Sequence, residues 1–283
     1  MKINVNKLIP IRLKQLPKYL GGIVIRFITL KKDANPISFT LCHFTCHSYY
    51  KYLYCSLHSL QKVSSGIPIR VLIFCDANEM FSPEQCEAIK IAFPDSKVIP
   101  WKKSQGWGSE QIASIWKAYS LAASESREND YVVRIDSDVF FFSDWIFQIV
   151  ARSRKDLVGD GHYVNFKYSQ GGFYFLRAGA INKIKRYFEE NSMDEFLTKT
   201  KINVEDIAAY QFIEQTGQKS WLTFFMMFPD EYRIAGHLSA YQKFKFCCLH
   251  FVMKNKNKML EVYLKEIVHH SERDMFLKAL EIQ

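Results

Sequence analysis

The sequence lacks the features that mark several other classes of protein. Its seven cysteines are odd in number and form no Cys-x-x-Cys pair, so neither a zinc site nor a complete set of disulfides is indicated. Neither an internal repeat nor a low-complexity linker interrupts the 283 residues. Because most of the cysteines lie in apolar stretches, we expect buried thiols in a reducing compartment.

A long hydrophobic run is also missing from the N-terminal part. Its longest apolar stretch, Tyr19–Ile25, is cut by Arg26 and is too short to cross a bilayer. No small-residue cleavage site is evident, so a signal peptide is not expected. These absences predict a cytoplasmic protein.

Acidic residues are absent before Asp33, whereas residues 1–32 carry eight lysines and arginines. Leucines and isoleucines alternate with these basic residues, which is typical of a segment that lies on an anionic membrane surface. A basic strap packed on the domain is the equally weighted alternative. Nucleic acid is not an expected partner, because the basic residues form no recognisable reader motif.

Composition and periodicity predict a globular α/β protein. The chain is 48% hydrophobic and 24% charged, and it is long enough to bury a full core. Strand and helix patterns alternate in the first half, which predicts a Rossmann-like three-layer α/β/α sandwich with a mostly parallel sheet. The predicted strands are 37–45, 69–75, 97–101, 131–142, 156–158, 172–176 and 247–253. The predicted helices are 49–63, 83–93, 110–124, 178–190 and 204–216, followed by one or two in the tail, 260–282.

In the stretch 131–142, β-branched and aromatic residues run on both sides of a short acidic interruption that holds Asp136 and Asp138. On a regular strand, side chains two residues apart point the same way. An unpaired buried charge is costly, so a divalent cation with oxygen ligands is the natural partner of this pair at the strand's tip. A solvated turn or helix cap is the simpler interpretation of the tripeptide taken alone.

Four features, in order along residues 37–258, resemble glycosyltransferases of the GT-A fold. Asp136-Ser137-Asp138 resembles their metal-binding Asp-x-Asp, and Gln170-Gly171-Gly172 resembles the segment that lines their sugar pocket. Glu205-Asp206 resembles the acidic pair at a helix start. His250 and Lys256 have the spacing of the C-terminal motif of retaining family 8 enzymes.

The last motif departs from family 8 in two places. Met253 stands where that family has glycine, and Asn257-Lys258 stands where it has Pro-Trp. Gln170 also replaces the usual asparagine. The resemblance therefore leaves open whether the sugar's configuration is retained or inverted.

The resemblance implies a role for each of these residues. Asp138 and His250 would bind Mn²⁺ or Mg²⁺, and Asp136 would share the metal or hold the ribose. Two carboxylates and one imidazole suit a Mn²⁺-like ion better than zinc. Glu205 or Asp206 would contact sugar or acceptor hydroxyls, and one of them would be the general base of an inverting enzyme. The remaining predicted donor-binding residues are Phe44, Thr45, Asp76, Arg134, Gln170, Gly171, Gly172, Lys254 and Lys256.

Each role has a structural alternative. His250 could be a core residue, and Glu205 and Asp206 could simply complement the helix dipole. Gly171 and Gly172 could form a bulge, and 254–258 could be a solvated basic loop. We expect Arg134 to pair with Asp136 or with the diphosphate.

The resemblance predicts a glycosyltransferase that moves a sugar from a nucleotide-diphosphate donor to a glycan or glycolipid acceptor at a membrane. UDP is the expected nucleotide. We expect a basic N-terminal segment (1–36), a catalytic domain (37–258) and a helical tail (259–283). A sugar nucleotidyltransferase would need a Gly-rich basic loop near the first strand, which 41–45 lacks. An inactive binding domain of the same fold is the other alternative, and the intact Asp136, Asp138 and His250 argue against it.

Overall fold

The computed structural model describes residues 36–102, 108–161, 169–223, 226–230, 246–251, 256–266 and 268–282. The predicted membrane-binding segment, residues 1–32, lies outside these ranges, as does Lys254. No helix within them is long and apolar enough to cross a bilayer.

The described residues form ten strands and nine α-helices. The strands are β1 (Phe39–Thr45), β2 (Ile69–Asp76), β3 (Ser96–Trp101), β4 (Tyr131–Ile135), β5 (Val139–Phe141), β6 (Leu157–Gly161), β7 (Ser169–Arg177), β8 (Ser220–Thr223), β9 (Met227–Asp230) and β10 (Cys248–Phe251). The helices are α1 (Tyr50–Val63), α2 (Pro83–Ala92), α3 (Ser109–Ser124), α4 (Trp145–Ser153), α5 (Ala178–Glu190), α6 (Met193–Thr200), α7 (Glu205–Gln215), α8 (Lys256–Glu266) and α9 (Arg273–Leu280).

The central sheet has seven strands in the order β3-β2-β1-β4-β7-β6-β8. The pairs β3–β2, β2–β1, β1–β4 and β6–β8 are parallel, and β7 is antiparallel to both of its neighbours. Six strands therefore run in one direction and β7 runs against them. The predicted mostly parallel sheet is confirmed.

Helices cover both faces of this sheet because successive side chains of a strand point to opposite faces. In β1, Phe39 and Leu41 pack in a core with α1, α2 and α4. Cys42 and Phe44 pack in a second core with α3, α5 and α7. The predicted three-layer α/β/α sandwich is thus confirmed.

The acidic stretch differs from its prediction as a single strand through residue 142. β4 ends at Ile135, and Asp136–Asp138 form a turn. β5 then joins a second sheet, in the order β5-β10-β9. The apolar pattern continues through the turn because both segments are buried, although they are buried in different sheets.

The C-terminal tail forms two helices, as the sequence allows, but α8 begins at Lys256. The interpretation of 254–258 as a solvated loop is therefore wrong for its described part, 256–258. Both helices pack on α1: Phe276 lies 5.3 Å from Tyr54 between ring centroids, and the hydroxyl of Tyr263 lies 2.6 Å from Nδ1 of His58. The sequence did not indicate α4, α6, β8 or β9 as elements. The domain boundaries stay a prediction.

Candidate active site

Two carboxylates and one imidazole meet where the two sheets join. Nε2 of His250 lies 3.2 Å from Oδ1 of Asp138 and 3.6 Å from Oδ2 of Asp136. One ligand atom from each of the three residues lies within 4.8 Å of the others. Within the described ranges, this is the only place where three potential metal ligands come together.

The strand pairing of the second sheet explains how residues 112 positions apart come together. β10 runs antiparallel to β5 and pairs His250 with Val139, which directly follows the acidic turn. Asp138 is 5% exposed and His250 is 7% exposed. Asp136 lies nearer the surface, with 31% of its side chain exposed. The turn therefore offers a half-open carboxylate beside a buried carboxylate and a buried imidazole.

Gly172 of β7 makes room for the imidazole. Its carbonyl accepts a hydrogen bond from the backbone N–H of Asp136 at 2.9 Å. A Cβ atom at this position would lie 2.5 Å from Nδ1 and Cε1 of His250. Gly171 similarly faces Asp206, whose Oδ2 would lie 3.1 Å from an added Cβ. An added Cβ at either glycine would therefore meet a protein side chain. The expected approach of a sugar to the backbone at these glycines stays a prediction.

Arg134 connects the acidic turn to α7. Its guanidinium lies 2.7 Å from Oδ1 of Asp136, so the expected pairing with Asp136 is confirmed. The same group lies 3.7 Å from Oε2 of Glu205 and 5.0 Å from the ring centroid of Phe44. Burial opposes the charge of Arg134, but the carboxylates of Asp136 and Glu205 outweigh it and raise the pKa of the guanidinium.

Glu205 is itself held inside the protein. The hydroxyl of Tyr119 in α3 donates to its Oε1 at 2.8 Å, and the hydroxyl of Tyr174 in β7 lies 2.9 Å from that of Tyr119. Burial raises the pKa of Glu205 to about 7, with Asp206 acting in the same direction and Arg134 against it. Burial also raises the pKa of Asp206. The two tyrosines escaped the sequence analysis because nothing in their local patterns separates them from core aromatics.

The other predicted donor-binding residues lie around the carboxyl ends of β1 and β2. Phe44 is buried, with its ring stacked on that of Phe74 at a centroid distance of 5.2 Å. Thr45 is buried beside it. Asp76 is half-buried at the end of β2 and accepts a hydrogen bond from the backbone of Asn78. The side chains of Gln170 and Lys256 lie outside the described set. These assignments stay predictions.

The residues present suit a divalent cation. A carboxylate pair with one imidazole is the mixed oxygen and nitrogen set that Mn²⁺ accepts, and hard oxygen ligands also suit Mg²⁺. Without a cation, the carboxylates of Asp136 and Asp138 would face the same imidazole and repel each other.

The architecture and this position of the acidic turn define a GT-A-like fold. Comparison with solved structures agrees. WbbM, a bifunctional glycosyltransferase in its apo form, matches with a TM-score of 0.51 and 13% identity over 89% of this chain. An active-site mutant of LgtC matches with a TM-score of 0.50 and 12% identity over 83% of this chain and 99% of its own.

The match covers 53% of WbbM, so the chain spans about half the length of that protein. No protein-family profile matches the sequence, and neither does any curated protein. At such low identities, the structural similarity establishes the fold.

Proposed function

We propose that the protein is a metal-dependent glycosyltransferase that moves a sugar from a nucleotide-diphosphate donor to a glycan acceptor. The observation that carries the proposal is the meeting of Asp136, Asp138 and His250 at the end of β4. In parallel α/β sheets, ligands bind beyond the carboxyl ends of the strands. The site lies at that edge of a GT-A-like sheet.

Asp138 and His250 would hold Mn²⁺ or Mg²⁺, and Asp136 would share it through the oxygen that Arg134 does not occupy. When bound, the cation would supply Lewis-acid stabilisation of the charge that develops on the departing nucleoside diphosphate. The protein's own contribution is to hold Asp138 and His250 with little exposure to water, where their electrostatic effect is strongest.

Asp206 is the better placed of the two acidic residues to meet a sugar or an acceptor hydroxyl. Glu205 is already engaged by Tyr119 and Arg134, whereas Asp206 lies against Gly171. In an inverting enzyme Asp206 would be the general base, and in a retaining enzyme it would orient the donor. The raised pKa of Asp206 favours proton acceptance during transfer.

The acceptor is proposed to be a lipid-linked glycan presented at a membrane, and UDP is the expected nucleotide. The support is the composition of residues 1–32, in which eight basic residues occur without an acidic one. Such a segment attracts an anionic leaflet and would bring the site close to a membrane-borne acceptor.

A nucleotide-sugar hydrolysis screen tests the proposal. The full chain is incubated with a panel of UDP-, GDP- and CDP-sugars in Mn²⁺, in Mg²⁺ and in EDTA. We expect hydrolysis of one donor class, lost in EDTA and lowered by about 100-fold or more in Asp138→Asn. Asp95→Asn is the matched control, because Asp95 is exposed at the start of β3, on the opposite edge of the sheet. Undiminished hydrolysis in Asp138→Asn, or full hydrolysis in EDTA, would contradict the metal site.

A further inference from the structure

A buried chain of polar side chains leads from the core to the proposed cation site. Tyr174 contacts Tyr119 through their hydroxyls at 2.9 Å, and Tyr119 donates to Glu205 at 2.8 Å. Glu205 lies 3.7 Å from the guanidinium of Arg134, which in turn lies 2.7 Å from Oδ1 of Asp136. The members come from α3, α7, β4 and β7, so four separate elements converge on one carboxylate.

This row of polar side chains ends in a contact that restricts which carboxylate oxygen Asp136 can offer to a cation. Because the guanidinium occupies Oδ1, Oδ2 is the oxygen that faces His250. Arg134 is held from other sides as well, since its Nη1 donates to the carbonyl of Ile135 at 3.1 Å and its guanidinium covers the ring of Phe44. The 2.7 Å ion pair holds the guanidinium against Oδ1, so the position of Arg134 constrains how the Asp136 carboxylate can turn.

We infer that Tyr119, Glu205 and Arg134 are positioning residues that present Asp136 to the cation as a one-oxygen ligand. The inference rests on the proposed metal-dependent function and adds residues that do not touch the cation themselves. Groups that orient metal ligands from outside affect affinity nearly as strongly as some ligands do. Binding is measured at pH 8, where Glu205 is ionised and also balances the charge of Arg134, which would otherwise draw Asp136 away from the cation.

A purely structural role for these polar side chains gives a different expectation. In that case each tyrosine hydroxyl would stabilise the fold, as any buried hydrogen bond does, and its loss would leave the affinity for the cation unchanged. The positioning role predicts that the affinity for Mn²⁺ falls more, the closer the substituted residue lies to Asp136. Binding of Mn²⁺ to the full chain without donor, followed through the paramagnetic resonance signal of the free ion, separates the two.

We expect Glu205→Gln to weaken Mn²⁺ binding by about 10-fold, as losses outside the ligand shell typically do. Tyr119→Phe should weaken it by about 5-fold, the equivalent of one hydrogen bond, and Tyr174→Phe by less. Tyr131→Phe is the matched control. Tyr131 is equally buried and donates to the carbonyl of Lys155 at 2.9 Å, and it packs in the core on the other face of the sheet from Tyr119 and Tyr174. It should lose thermal stability without losing Mn²⁺ affinity.

Native affinity in folded Tyr119→Phe and Glu205→Gln proteins would overturn the positioning role. If Tyr119→Phe does not fold, the isosteric Glu205→Gln and the outer Tyr174→Phe still decide, because their predicted effects differ in size. A native protein that binds no Mn²⁺ would instead overturn the proposed cation site, and with it this inference. The two failures are therefore distinguishable.

Discussion

Replacing Glu205 with glutamine should make the protein progressively more stable than the native protein as the pH rises from 5 to 8. Burial raises the pKa of Glu205 to about 7 from an ordinary value of 4.5. Between these values the folded protein keeps a proton that the unfolded chain has released. The stability that Glu205 contributes is therefore present below about 4.5 and is lost as the pH rises through about 7. Glutamine keeps the acceptor for Tyr119 and carries no charge at any pH.

The size of the effect follows from linkage. Each pH unit between the two pKa values corresponds to about 1.4 kcal/mol, so the full interval from 4.5 to about 7 amounts to about 3–4 kcal/mol. Part of the titration of the unfolded chain lies below pH 5, so about 2–3 kcal/mol of this difference falls between pH 5 and pH 8. The side chain is 10% exposed, so solvent screening removes little of this.

Urea unfolding at pH 5, 6, 7 and 8 in EDTA measures the difference, because the chelator removes any stabilisation by bound metal. Tyr119→Phe provides an independent check. Its hydrogen bond lowers the pKa of Glu205, so its loss should steepen the decline of stability with pH. Parallel curves for the native and Glu205→Gln proteins would refute the argument that burial of this carboxylate dominates its titration.

Three further perturbations test other parts of the structure. Gly172→Ala should weaken Mn²⁺ binding by about 10-fold or more in calorimetry, because the added carbon would lie 2.5 Å from the imidazole of His250, whereas Gly171→Ala should spare binding. Asp160→Asn should lower the free energy of unfolding, measured in urea, by about 2–3 kcal/mol. The buried carboxylate accepts backbone hydrogen bonds from Met226 and Met227 at 3.2 and 2.9 Å. An unchanged urea midpoint would count against this role of Asp160. Removal of residues 1–32 should abolish co-sedimentation with anionic vesicles at low salt, because each basic residue near the membrane surface contributes about 1 kcal/mol to binding. Equal binding by the full-length and shortened proteins would argue against the membrane proposal.

Local patterns predicted much of the fold because the relevant signals are short-range. Ser82 and Pro83 begin α2, and the hydroxyl of Ser82 accepts from the backbone of Gln85 while the Gln85 side chain accepts from the backbone of Ser82. The bounds of α5 agree with its predicted range of 178–190. A turn at the acidic pair was among the alternatives, but the change of sheet after Ile135 was not predicted. Apolar residues occur on both sides of the turn, and periodicity does not reveal a change of sheet.

The candidate site was predictable where a motif carries its own chemistry. Two carboxylates that interrupt an apolar strand need an explanation on energetic grounds alone. The contact between Tyr119 and Glu205 has no such signal, because 86 residues separate them and each is ordinary in its own helix. The contact depends on how α3 and α7 pack on the same face of the sheet. No short pattern in a single sequence indicates that packing.

The turn at Asp136–Asp138 explains why an aromatic run follows the acidic pair. Had the strand continued, both carboxylates would lie within the sheet, closed off from a ligand. The backbone N–H of Asp136 still bonds the carbonyl of Gly172, in register with the β4–β7 pairing. The chain leaves the sheet beyond this bond, and Val139 then pairs with His250. Phe140 and Phe141 are then buried at the junction of the two sheets, and the backbone N–H of Phe141 donates to the hydroxyl of Ser59 in α1. The apolar residues after the motif thus anchor the second sheet, and that anchoring holds the imidazole against the two carboxylates.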